Sequence, residues 1–327
     1  MKKIIVSIAI LGAVVAGCEK VTPGFLSSQM RYKDTAVYCK RGFTLAQSER
    51  VNADESTPPI TFKLMNLTDD ATGKPAPAEF FNDYDVVVFK EGMSFNPETD
   101  TTLAALNTKR ETQKLKPMYF NEVSGQFTFN KASVNLPLGS YSFDMEVSNV
   151  AGKKTFEKFS KIKVVDPTTD DIFQVNATAA AVFSDATGAS VGIRNPVLNI
   201  TKLSGDGARL ILKVSDKNGK AFNPKNGEVI RRGDRPVFEN YARFNPVIFT
   251  DTAMICDFEV APFPLASYID NTGYNWGGLM YYRIPSQFVT VDGYPQGGYS
   301  LNPRWDFKVK LEGTYLLEIV CSDAVHK

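Results

Sequence analysis

The feature that most constrains this fold is a two-residue alternation of apolar and polar side chains. Tyr141-Ser142-Phe143-Asp144-Met145-Glu146-Val147 alternates over seven residues, and Gln126-Phe127-Thr128-Phe129-Asn130 over five. Successive side chains of an extended strand point to opposite faces, so each run predicts a strand with one buried and one wet face. Val86-Val87-Val88-Phe89 is a continuous apolar run that suits a fully buried strand, and 156–165 supplies another. Asn149-Val150-Ala151-Gly152-Lys153 separates two of these strands and predicts a hairpin. The one helical window is 100–114, with Asp100 as its cap and Leu103 and Leu106 facing inward.

Asp166-Pro167-Thr168-Thr169-Asp170-Asp171 interrupts the pattern and marks a domain boundary. Strand signatures resume at 195–201, 208–215, 253–260, 308–311 and 315–321. The expectation is an all-β chain of two β-sandwich domains, 25–167 and 168–327. Within the first, Leu138-Gly139-Ser140-Tyr141 places a tyrosine at the start of the penultimate strand. That resembles the tyrosine corner of immunoglobulin-like domains, in which the hydroxyl bonds back to the preceding corner. Phe143 stands where the cysteine of the antibody-type disulfide would be, so the resemblance implies the sandwich without that bridge.

The N-terminus reads as an address. Lys2 and Lys3 precede an apolar stretch at 4–15, followed by Val15-Ala16-Gly17-Cys18. Twelve residues make roughly 18 Å of helix, short of a hydrocarbon core of about 30 Å. This predicts a cleaved signal peptide over 1–17. Cys18 after small residues resembles a bacterial lipobox, which implies lipidation of Cys18, a tether over 18–24 and membrane attachment by lipid alone. Glu19 beside it modestly favours display on the outer face of the outer membrane.

The composition removes several chemistries. Lys and Arg total 37 against 36 Asp and Glu, so no basic field suits nucleic acid. Removal of 1–17 takes Lys2 and Lys3 and leaves 35 against 36. The single histidine, His326, is next to the C-terminus, which argues against histidine-based triads and metal centres. Cys39, Cys256 and Cys321 have no zinc-type spacing. Cys256 and Cys321 read first as small buried hydrophobes, with a disulfide between them as the alternative. No metal or cofactor is expected; Asp166, Asp170 and Asp171 could suit calcium but read better as a solvated linker.

Residues 268–305 differ from the rest. They hold both tryptophans, Trp276 and Trp305, and six of thirteen tyrosines, including Tyr274, Tyr281, Tyr282, Tyr294 and Tyr299. Glycines and amides are interleaved, and Arg283 and Arg304 are the main cations. A sugar offers an apolar C–H face and a rim of hydroxyls, so flat aromatic rings with placed polar groups suit it. Three readings stand for this stretch as an aromatic-rich insertion: internal packing, contact with an oligosaccharide or polysaccharide through those seven aromatics, or a protein interface.

The lipobox, the immunoglobulin-like domain and the aromatic second domain together resemble Bacteroidetes surface lipoproteins of glycan-uptake systems, broadly of the accessory SusE type. The stretch Asn52 to Phe62 and the Gly-Gly-x-x-Tyr-Tyr-Arg-Ile-Pro segment at Gly277 to Pro285 are similar to an uncharacterised family of such lipoproteins. That resemblance implies a non-catalytic surface protein that binds glycan or assists an outer-membrane transporter complex. The alternative is a structural, partner-docking lipoprotein. Glycoside hydrolysis needs only two carboxylates, for which Asp257, Glu259, Asp270, Asp292 and Asp306 are the candidates in the second domain.

Overall fold

The computed structural model describes residues 24–327. The signal segment 1–17, Cys18 and all but the last residue of the tether therefore lie outside the described residues. The chain forms two compact units, one up to Asp85 plus Lys114–Asp166, the other Val86–Gln113 plus Pro167–Lys327. Each is all-β.

In the first unit β1 (Val37–Lys40), β2 (Leu45–Gln47) and β3 (Thr61–Asp69) come first. In chain order a ladder of β4 (Tyr84–Phe89) and β5 (Arg110–Leu115) follows, enclosing a short helix at Leu103–Thr108, most of it in the Val86–Gln113 segment of the second unit. Then come β6 (Met118–Asn121), β7 (Gln126–Asn130), β8 (Gly139–Asn149) and β9 (Gly152–Val165). One sheet has the order β1-β9-β8-β3, with β1 parallel to β9, and the other β2-β7-β6. This is the strand order of an immunoglobulin-like sandwich. The alternation read in 141–147 is realised: Tyr141, Phe143, Met145 and Val147 are all buried. Tyr141 Oη donates to the Pro137 carbonyl at 3.1 Å, closing the tyrosine corner. Where a disulfide would cross between sheets, Phe143 packs edge-on against Phe127 of the facing sheet at 5.2 Å, and Tyr32 packs against both. Ring contacts replace the covalent bridge as the inter-sheet tie.

The helical window is shorter than its sequence signal. The helix is capped by the Thr102 hydroxyl, which accepts from Ala105 N–H, and Leu106 is its buried residue. Asp100 does not cap it. Its buried carboxylate accepts from Asn96 N–H and binds Lys109 Nζ, and the Lys109 hydrogen bond first, then the Asn96 amide, hold it below its ordinary range. From Arg110 onward the chain is strand, because β4 offers a pairing edge that local propensity cannot anticipate.

The second unit is a sandwich of two five-stranded sheets. Its strands are β10 (Phe173–Ser184), β11 (Ser190–Ile193), β12 (Val197–Ser204), β13 (Arg209–Asp216), β14 (Ile230–Arg231), β15 (Ile248–Phe249), β16 (Met254–Asp257), β17 (Met280–Arg283), β18 (Val289–Val291), β19 (Tyr299–Val309), β20 (Thr314–Cys321) and β21 (Ala324–His326). One sheet runs β11-β10-β19-β17-β14 and the other β12-β20-β13-β16-β15, while β18 pairs with β21. The stretch 268–305 is thus not simply an insertion, because it contributes β17 and the first part of β19 to the first of these sheets. At the boundary Thr168 and Asp171 form a reciprocal capping box on a single helical turn, and Asp166 binds Arg41 within the first unit.

Cys39, Cys256 and Cys321 are free and buried, and burial pushes each thiol up to about 12. Cys256 lies opposite Leu210 and Cys321 opposite Asp216, both on β13. Six residues of strand span about 20 Å, while a disulfide needs Cα atoms within about 7 Å. That register excludes the Cys256–Cys321 bridge.

Candidate functional site

Strand alternation sorts the seven candidate aromatics. On β19, Trp305 shares the inward side with Phe307 and Val309, and Arg304 points outward. On β17, Met280 and Tyr282 point inward, and Tyr281 and Arg283 outward. Trp305 is 0% and Tyr282 1% exposed, and their rings stack at 5.3 Å and 18°. The Tyr282 hydroxyl accepts from Phe238 N–H at 2.7 Å and donates to Glu239 at 3.1 Å, and burial raises its pKa well above the ordinary value. The expectation that Tyr282 and Trp305 contact a ligand is therefore corrected: both are packing residues of the sandwich interior.

Tyr274 and Trp276 belong to the loop before β17. Tyr274 is 60% exposed, Trp276 is half-buried, and their rings meet edge-on at 4.8 Å. Asp270 builds this loop. Its carboxylate accepts from Thr272 N–H and Oγ1, from Tyr274 N–H and from Trp276 Nε1. The Thr272 hydroxyl first, then the Trp276 indole, lower its pKa to about 2. Arg235 lies over the Trp276 ring at 4.7 Å. Beside the loop a cleft of about 440 Å³ is lined by Ser267, Gly277, Gly278, Asp306 and Lys308, among others.

Tyr281 and Arg283 lie on the outer face of the β10-β19-β17 sheet, where they meet residues that the sequence did not single out. Arg232 stacks over Tyr281 at 4.8 Å, and Arg304 over the same ring at 5.5 Å. Arg283 stacks over Phe183 of β10 at 4.3 Å, with Arg232 at 5.9 Å from that ring. Arg283 Nε donates to Asn302 Oδ1 at 3.2 Å. The loop and the sheet face are joined by the turn 232–236. Arg232 N–H donates to Tyr281 O, Tyr281 N–H to Pro236 O, and Arg235 N–H to Arg232 O. The signal that could have found this face is the alternation within 280–283 itself: burying Tyr282 turns Tyr281 and Arg283 outward. Phe183 and Arg232 carried no such signal, because β10 meets β19 more than a hundred positions away, and Arg232 follows β14, whose partners on β17 are more than fifty positions away.

Tyr294, on the connection between β18 and β19, and Tyr299, the first residue of β19, form a separate half-buried pair at 5.2 Å. The candidate carboxylates each have a structural partner. Asp257 binds Arg209 at 2.6 Å, Asp292 binds Lys217 at 2.6 Å, Asp306 accepts from Asn176 at 2.9 Å, and Glu259 from Asn245 at 2.9 Å. Hydrogen bonding by Arg209 lowers the Asp257 pKa, as Thr272 and Trp276 lower that of Asp270. A general acid needs the opposite shift. His326 is built into the fold, its Nε2 2.8 Å from Glu228 and its ring packed on Phe222. Among the described residues no cluster of three metal-ligating side chains occurs and no helix is long and apolar enough to cross a membrane. A comparison of the chain with models of known families and with curated proteins finds no match.

Proposed function

We propose that this chain is a non-catalytic, lipid-anchored surface protein that binds glycan through the second unit, as an accessory to an outer-membrane glycan-uptake system. Cys18 would carry the anchor, and the anchor would hold the protein outward on the outer membrane. The observation that carries the binding reading is the strip of accessible rings, Tyr274, Trp276 and Tyr281, presented beside amide and guanidinium donors on one side of the sandwich. Such a strip matches the alternating C–H faces and hydroxyl rims of a polysaccharide. Tyr294 and Tyr299 are a lesser candidate, since among the described residues no guanidinium lies over either ring, as Arg235 does over Trp276 and Arg304 over Tyr281.

Affinity electrophoresis in gels containing single polysaccharides tests this. One glycan should retard the mature protein, and Trp276→Ala or Tyr281→Ala should weaken that retardation at least about tenfold with an unchanged thermal melt. If no glycan retards the protein while an outer-membrane partner co-purifies with it, the surface is a docking face and the glycan reading fails.

A further inference from the structure

Some arginines of this molecule reach a carboxylate and others, such as Arg243 over Phe95, lie on a ring instead; the outer sheet face brings three of the second kind together. Arg41, Arg194 and Arg209 each reach a carboxylate: Asp166, Asp323 and Asp257. Arg232, Arg283 and Arg304 reach none among the described residues, although all three converge on Tyr281 and Phe183. Among the described residues, Arg304 and Arg232 donate no side-chain hydrogen bond, and Arg283 donates only through Nε to Asn302. Asn302 is 1% exposed beneath this layer, and its Nδ2 has no partner among the described residues.

An aromatic ring beneath a guanidinium fixes its plane and leaves the N–H edge free. A planar, pre-oriented edge is the group best matched to a carboxylate or a sulfate, which it can grip with two parallel hydrogen bonds. Three such edges around one sheet face, none of them in an ion pair among the described residues, make a site complementary to a row of anions. The chain as a whole is near neutral, 37 basic against 36 acidic, so no overall basic field accounts for the charge of this patch. A patch of three cations on a flat sheet suits charges spaced along a sugar chain better than the dense phosphate backbone of nucleic acid, which rewards a broad basic field.

We infer that the polysaccharide bound by this face is acidic, carrying uronate carboxylates or sulfates that Arg232, Arg283 and Arg304 grip, with Tyr281 and Phe183 holding the guanidinium planes. This rests on the glycan-binding reading and names its ligand class.

The test runs the mature protein through gels of polygalacturonate (carboxylate), chondroitin sulfate (both groups), dextran sulfate (sulfate alone) and neutral dextran, with duplex DNA as competitor. The expected result is retardation by one or more of the acidic gels and not by dextran. It should weaken as NaCl rises from about 50 mM to about 500 mM, where the screening length falls to a few ångströms. Arg283→Gln and Arg304→Gln should each weaken it about tenfold, while Lys202→Gln on β12 of the other sheet leaves it unchanged. The polygalacturonate and dextran sulfate arms separate carboxylate from sulfate recognition. Salt-insensitive retardation by a neutral glycan, unaffected by both arginine variants, overturns this inference and leaves the glycan reading standing. Equal competition by DNA overturns it as a non-specific polyanion site. Retardation by no polysaccharide, acidic or neutral, overturns both.

Discussion

Two tryptophans that look alike in the sequence have opposite roles. Trp276 sits in a loop with its indole N–H on Asp270, while Trp305 is enclosed against Tyr282 with no solvent exposure. Removing a fully buried aromatic side chain loses its transfer energy and leaves a cavity, together about 3–5 kcal/mol. Trp305→Ala should therefore cost stability on that scale, seen as a lower denaturation midpoint, while Trp276→Ala should cost under about 1 kcal/mol. Equal losses for the two would contradict the assigned orientations. The sequence marked both as candidate ligand residues because composition counts aromatics without regard to facing. The distinction was legible only through parity. Once Phe307 and Val309 are inward, Trp305 must be inward too, and Arg304 outward. What could not be read is which parity each strand adopts, since that depends on the sheet that covers it.

At the level of elements, legibility followed the strength of alternation. β8, β9 and their hairpin lie where the pattern put them, as does β20, whose residues 315, 317, 319 and 321 are buried. β10 was not foreseen. Its Ala177, Ala179, Ala180 and Ala181 give no apolar contrast, and alanine has low β propensity. β10 is nevertheless the longest partner of β19, because long-range pairing with that strand sets its conformation. The loop 268–278 was legible as aromatic and glycine-rich, but not as an element organised by one carboxylate. Asp270 is depressed to about 2 by the Thr272 hydroxyl and Trp276 indole hydrogen bonds, against about 3.9 in an unfolded chain. A group depressed in the folded state contributes fully above its unfolded value and is lost as pH falls through its folded value. The loop should thus hold its form at pH ~4 and loosen only as pH approaches 2. The Trp276 indole N–H resonance should titrate with a midpoint near 2, and should lose its pH dependence in Asp270→Asn. A midpoint near the ordinary carboxylate value would mean that Asp270 does not organise the loop.

At the level of the whole molecule, the two units are interleaved in sequence. The boundary read at Asp166-Pro167 coincides with the last passage of the chain between units, but the segment Val86–Gln113 also belongs to the second unit. It lies inside the span 25–167 and carries no composition shift, which is why only the structure assigns it. Arg243 holds this segment: its Nε donates to Asp100 O at 3.1 Å, its terminal nitrogen to Pro97 O, and its guanidinium lies over the Phe95 ring at 5.4 Å. Phe244 meets the same ring edge-on at 6.5 Å. Hydrogen bonds from a charged donor contribute about 1.5–3 kcal/mol, less where solvent reaches them. Arg243→Ala in the full chain should therefore raise amide exchange across 96–109 by about tenfold or more, while β10 and β19 keep their protection. If exchange in 96–109 is unchanged, that segment is held by its own ladder and helix, and its place in the second unit does not depend on Arg243. If β19 loses protection as well, the segment is part of the sandwich's cooperative core rather than an addition to it.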